Sequence, residues 1–154
     1  MDRFNFDKVK KNLGKTNREI LVVLSNQAQN YFLDSFNKQG FDGKPWKEVQ
    51  RRIDGTRAYK YPKTRGLQRR TSPILVGAGY KTRGGTLRRA VAGMARTAQI
   101  GNDKLRMVVD VSYASYHNDG GKHLAKRQFV GQTAELTRMQ KQKIDEIISR
   151  IWQA

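Results

Sequence analysis

His117, Asp119 and His123 are the residues of this chain whose types could hold a metal, since two imidazoles and a carboxylate make a donor set for zinc or iron. They sit in one short stretch, Tyr113-Ala114-Ser115-Tyr116-His117-Asn118-Asp119-Gly120-Gly121-Lys122-His123. The spacing matches no metal motif, and Gly120-Gly121 leaves the geometry open. A histidine in such a loop more often packs or hydrogen-bonds, so no metal ligand is expected. Gly77-Ala78-Gly79-Tyr80-Lys81-Thr82 has a faint likeness to a phosphate loop but lacks the Gly-x-x-x-x-Gly-Lys-Ser/Thr spacing, which makes it weak evidence. No Gly-x-Ser-x-Gly marks a serine nucleophile. Cys is absent, which excludes disulfides, thiol catalysis and cysteine zinc sites. The carboxylates are scattered among bases, with no isolated pair whose pKa values burial would split into acid and base. The residues give no catalytic set and no cofactor, and the expectation is a protein that is not an enzyme.

The charge is more informative. The 154 residues carry 31 Lys+Arg against 13 Asp+Glu, a net charge of +18. From Lys44 to Arg89 there are 14 basic residues and only two acids, Glu48 and Asp54, so this stretch supplies +12 of the total. It also holds Trp46, Tyr59, Tyr61 and Tyr80, all three prolines and six of the 14 glycines. Bases interleaved with aromatics can grip phosphates and stack on nucleobases. The candidates for DNA contact or for an acidic protein neighbour are Lys47, Arg51, Arg52, Arg57, Lys60, Lys63, Arg65, Arg69, Arg70, Lys81, Arg83, Arg88 and Arg89. The other reading is a solvated segment whose charge keeps the chain soluble.

The elements that would position these residues follow from periodicity. Thr16-Asn17-Arg18-Glu19 has the form of a capping box. Behind it Ile20, Leu21, Leu24, Ala28, Tyr31, Phe32, Ser35 and Phe36 recur at helical steps, which predicts a helix over 17–38 stopped near Gly40. A separate short turn over Phe4–Leu13, ended by Gly14, would precede it. Phe41–Trp46 reads as a turn with Trp46 as an anchor, and Lys47–Ile53 as a short helix. Gly and Pro punctuation makes 44–85 an extended basic loop within a single 1–154 domain. Thr86–Val91 reads as a short helix. Met94–Ile100 and Leu105–Val111 read as a hairpin around Gly101-Asn102-Asp103, the second run alternating with period two. A strand over Arg127–Val130 and an amphipathic helix over 133–152 follow. The pattern is α+β, a long N-terminal helix and a C-terminal helix against a small antiparallel sheet. No apolar run reaches the roughly 18–20 residues of a membrane span, and Met1-Asp2-Arg3 does not open a secretory signal.

Four segments, taken in order, resemble the phage virion morphogenesis family, the tail-completion and neck proteins of Mu-like and P2-like tailed phages. Gly43-Lys44-Pro45-Trp46 is similar to its "G-x-P-W" turn, and Pro73-Ile74-Leu75-Val76 leading to Gly85-Thr86-Leu87 to its "I-L-x-x-T-G-x-L" segment. Tyr113-Ala114, His117 and Gly120-Gly121 are similar to its "Y-A-x-x-H-x-x-G" loop, and Arg127-Gln128-Phe129-Val130-Gly131 to its "R-x-F-x-G" segment. The likeness spans about residues 20–150. Two positions depart from it: Gly84-Gly85-Thr86 replaces Thr-Gly before the leucine, and Gln128 stands where proline is usual.

The resemblance implies a structural virion protein, a tail-completion, tail-terminator or neck subunit at the head–tail junction or tail top, made in the host cytoplasm. It implies a homo-oligomeric ring, sixfold by analogy, with neck and tail proteins as partners, genomic DNA in the channel as a further contact, and no membrane. Pro45, Trp46, Leu87, Tyr113, Ala114, His117, Gly120, Gly121, Arg127 and Phe129 become structural residues. On this reading the Tyr113–Gly121 residues shape a turn at a strand end, and Arg127 and Phe129 anchor the strand before the last helix. The alternative is a stand-alone nucleic-acid-binding protein using Lys44–Arg89.

Overall fold

The computed structural model describes residues 6–61, 72–75, 85–101 and 103–152. It is α+β. Helix α1 spans Phe6–Lys38, roughly 50 Å at 1.5 Å per residue. The helix therefore starts well before the Thr16 capping box and runs unbroken through Gly14, which corrects the separate turn expected there. A glycine inside a helix costs only about 1 kcal/mol against alanine. Lys8, Lys10, Lys11, Leu13 and Lys15 around it are helix formers, and no proline intervenes. In the second half of α1, Ser25, Ala28, Phe32, Ser35 and Phe36 are buried on one face. The two serines bond back to their own helix, Ser25 Oγ donating to the Val22 carbonyl at 2.7 Å and Ser35 Oγ to that of Phe32 at 2.6 Å.

The end of α1 is close to where Gly40 placed it, by a different device. Gln39 takes the left-handed conformation, at φ 50°. Gly40 is needed for closeness: a Cβ there would lie 2.6 Å from the Lys44 carbonyl oxygen. Strands β1 (Gly40–Phe41) and β2 (Lys44–Pro45) form a hairpin, Gly40 opposite Pro45 and Phe41 opposite Lys44. Its turn residues Asp42 and Gly43 both have positive φ, 52° and 73°, as a two-residue type I′ loop requires. The 44–85 segment is thus not loop throughout. It continues into a 3-10 turn at Gln50–Arg52 and helix α2, Arg57–Lys60, which Thr56 caps by accepting from the Tyr59 N–H.

Helix α3, Thr86–Gly93, starts from Gly85 at φ 77°. Leu87, Val91 and Met94 from this region are among the most buried side chains. The expected first hairpin strand is mostly helix exit: Met94 N–H donates to Val91 and Thr97 N–H to Gly93. Of the expected hairpin, the described residues pair at β3 (Gln99–Ile100) and β4 (Leu105–Arg106), antiparallel, Gln99 opposite Arg106. Helix α4, Ala114–Asp119, stands where a loop was expected. The expected strand at Arg127–Val130 is an irregular segment. Helix α5, Ala134–Trp152, matches expectation; Thr133 caps it, its Oγ1 accepting from the Leu136 N–H at 3.0 Å.

Both α3 and α5 pack on α1. The core lies around Phe32, Phe36, Phe41, Trp46, Ile74, Leu87, Val91, Met94, Ala114, Phe129 and Leu136. Phe36 holds its centre, its ring 5.7 Å from Trp46 and 5.4 Å from Phe129. α5 runs antiparallel to α1, since Tyr31 meets Thr133 and Gln27 Nε2 donates to the Met139 carbonyl.

Candidate functional site

Residues from three of the four motif segments, far apart in sequence, meet beside this aromatic centre. The β1–β2 hairpin carries Trp46 inward, where its Nε1–H donates to the Gln128 carbonyl at 2.6 Å. Arg127, also buried, donates through Nε to the Lys47 carbonyl at 3.1 Å and through its backbone N–H to the His117 carbonyl at 2.8 Å. Asn118 lies in the last turn of α4. Its Oδ1 accepts from both the Phe129 and the Val130 N–H, at 3.0 and 3.1 Å. One side-chain carbonyl thereby satisfies two amides of a segment that has no strand partner among the described residues, and an unpaired buried amide is expensive.

Gly120 closes α4 at φ 80°, and a Cβ on it would lie 2.9 Å from the Lys126 nitrogen. Gly is the residue that tolerates both demands. Gly121 bridges to Leu124. Ala114 is buried at the start of α4, and the Tyr113 ring packs edge-on to His117 at 5.9 Å. The Tyr113–Gly121 residues therefore build a capped short helix, not the turn at a strand end that was expected. Arg127 and Phe129 anchor an irregular segment, not the strand that was expected.

The electrostatics of this node centre on His117. His117 is pushed below its ordinary pKa, first by burial and then by the Arg127 charge. Its Nδ1 is buried without a hydrogen-bond partner among the described residues. His123 is exposed, and the Asp119 carboxylate accepts from Asn118 Nδ2 at 3.0 Å. Among the described residues no group of three His, Cys, Asp or Glu is placed to hold a metal ion.

The fourth motif segment is held by the basic candidates. Arg51 donates to the Ser72 and Pro73 carbonyls at 2.8 and 2.9 Å, and Arg52 to the Ser72 carbonyl at 2.7 Å. Arg52 also reaches Gln39 Oε1, which accepts from the Ile74 N–H as well. This clamp buries Ile74 and precedes Leu75, a branched residue at φ 60°. Such a conformation persists only where its surroundings impose it. Burial, and then Arg52, push the Arg51 guanidinium below its ordinary pKa, with Glu48 opposing. Burial does the same to Arg127, again with Glu48 opposing. Arg51 and Arg52 thus face inward onto backbone carbonyls.

Lys47, Arg57 and Lys60 are exposed. Arg88 and Arg89 are exposed on α3, near Asn37 and Thr86 respectively. Lys63, Arg65, Arg69, Arg70, Lys81 and Arg83, with the Gly77–Thr82 fragment, lie outside the described residues. Among the site-building residues, Asn118, Gln39 and Ser72 were not singled out from sequence. Asn118 carried a usable signal, a poor helix former placed just before a Gly-Gly pair, where its amide is free to serve backbone groups.

Among the described residues no helix is long and apolar enough to cross a membrane. No protein-family model, no curated protein and no solved structure matches this chain.

Proposed function

We propose that this chain is a structural subunit of a phage virion, a tail-completion, tail-terminator or neck protein that works as a ring with copies of itself at the head–tail junction. The observation that supports this most is the use made of the motif residues. Trp46, His117, Arg127 and Phe129 pack and hydrogen-bond to one another's segments, and Arg51 and Arg52 hold the segment leading to Ile74. Residues devoted to bracing irregular backbone suit a part whose work is to present a surface. The test is light scattering of the purified protein with imaging of any oligomer. A closed ring, alone or on adding tail or neck proteins, is the expected result. A chain that stays monomeric with every partner and never enters particles overturns the reading.

The exposed Lys47, Arg57 and Lys60 favour a second reading, nucleic-acid binding. Affinity for duplex DNA would then fall with salt at a slope of about −0.9 per phosphate contacted. Reversing the charge of those three should flatten that slope. Arg51 and Arg52 are unsuitable probes, because their removal would release the Ser72–Ile74 segment.

A further inference from the structure

The residues after β4 keep the side-chain pattern of a strand while lacking a hydrogen-bonded neighbour among the described residues. Met107, Val109 and Val111 pack against the core. Arg106, Val108 and Asp110 face outward, and Val108 is 49% exposed, one of the more exposed large apolar side chains among the described residues. β3 pairs only as far as Arg106. Beyond it, the backbones of Met107, Val108 and Asp110 make no hydrogen bond among the described residues; Val109 has only its carbonyl engaged, by the Val111 N–H. A run of unpaired backbone groups on an alternating segment is a template for another strand.

The outward face says which strand fits. It reads cation, apolar, anion: Arg106, Val108, Asp110. Laid antiparallel against itself about Val108, it places each Arg106 opposite an Asp110 and Val108 opposite Val108. Opposite charges facing across a strand pair stabilise it, and like charges destabilise it. Parallel in-register pairing would set arginine on arginine and aspartate on aspartate. We propose that the Arg106–Asp110 segment is a self-pairing edge, which joins two copies of this chain through an antiparallel twofold contact centred on Val108.

The contact is isologous, so it closes at two copies. It is separate from the head-to-tail contacts of a ring and does not rest on the virion reading. A strand pair this short covers well under the roughly 1,200 Å² of a standard interface, so the dimer is weak and rises with protein concentration.

The chain has no cysteine, which makes a single introduced thiol diagnostic. Opposed residues in an antiparallel pair have Cα atoms about 4.5–5.5 Å apart, inside the disulfide range of about 4.4–6.8 Å. Val108→Cys should therefore cross-link to a dimer under mild oxidation. Ser112→Cys, exposed but offset from the centre, should not. Sedimentation adds a second arm. Arg106→Asp alone and Asp110→Arg alone should each lose the dimer, and mixing the two variants should restore it, because each then supplies the charges the other needs. Cross-linking of Val108→Cys no better than Ser112→Cys overturns the proposal, as does a mixture that dimerises no better than either single variant. Neither result bears on whether a ring forms with tail or neck proteins.

Discussion

The node around Trp46 and the outer stretch of the α1–α5 pair are built on different principles. At the node, backbone of irregular shape is held by a few directed bonds: Trp46 to Gln128, Arg127 to Lys47, Asn118 to Phe129 and Val130. Along the outer helices the backbone satisfies itself, and the apolar side chains are only partly covered. Ile20, Leu21 and Leu24 of α1, like Ile144 and Ile147 of α5, are half-buried, and Val22 and Ile148 are exposed. A region held by single directed bonds fails at one substitution; one held by many shallow contacts loses a little at each. The node should therefore be brittle and the outer helices tolerant.

The largest effect is expected at Trp46. Trp46→Ala removes an indole from between Phe36 and the hairpin and strands the Gln128 carbonyl, for a loss of about 3–5 kcal/mol. Trp46→Phe should keep much of the packing and lose less. Urea unfolding of the three proteins measures this, and equal losses for both substitutions would assign the effect to the Trp46–Gln128 hydrogen bond and not to ring packing.

Asn118 comes next. Asn118→Ala leaves two amides without their acceptor, worth about 1–3 kcal/mol. Asn118→Asp keeps an acceptor for both amides but replaces the donor to Asp119 with a second carboxylate beside it, so it should fall between the wild type and the alanine variant. If the outer helices were as brittle, Leu24→Ala would cost as much as Asn118→Ala; the half-buried leucine predicts less.

The same contrast explains what could be read from sequence. The second half of α1, α3 and α5 were legible because their apolar residues recur at helical spacing and the core uses that face. The alternation from Leu105 to Val111 correctly reported which side is buried, but burial has no bearing on whether a neighbouring strand is bonded. The predicted ladder therefore shrank to two residues a strand. Of the node, Trp46 was legible as an anchor beside its turn, while the groups it and its neighbours bond to were not. The node's bonds run from side chains to carbonyls and amides, groups every residue has, so apart from the signal at Asn118 residue type leaves little trace of them. Arg51 and Arg52 were counted as surface charge for a related reason, since composition carries no direction.

His117 gives the node a pH dependence of its own. Burial and the Arg127 charge hold its pKa below the ordinary value of 6.5. The unfolded chain then binds this proton more readily than the folded one. Stability is complete above the unfolded pKa and is lost as pH falls from there toward the folded value. The loss is expected to be smaller than that at Asn118, because the imidazole is only half-buried. Unfolding midpoints at about pH 7.5 and about pH 5 should converge in His117→Gln relative to the wild type. An equal acid loss in both would assign the pH dependence to other groups.

The smallest effect should be a gain, and its sign tests the reading of α1. Gly14 lies inside a continuous helix, and a Cβ there would meet nothing within 4 Å. Gly14→Ala should therefore stabilise by about 0.5–1 kcal/mol, by removing conformational freedom from the unfolded chain. Had Gly14 ended a separate turn in a left-handed conformation, alanine would be strained and the sign would reverse. Thermal unfolding and helical circular dichroism should both rise. A loss in either would break α1 at Gly14 and restore the shorter helix that the Thr16 capping box implied. The gain would extend the tolerance of the outer helix to its first turns, because there the backbone supplies its own bonds and waits on no particular side chain.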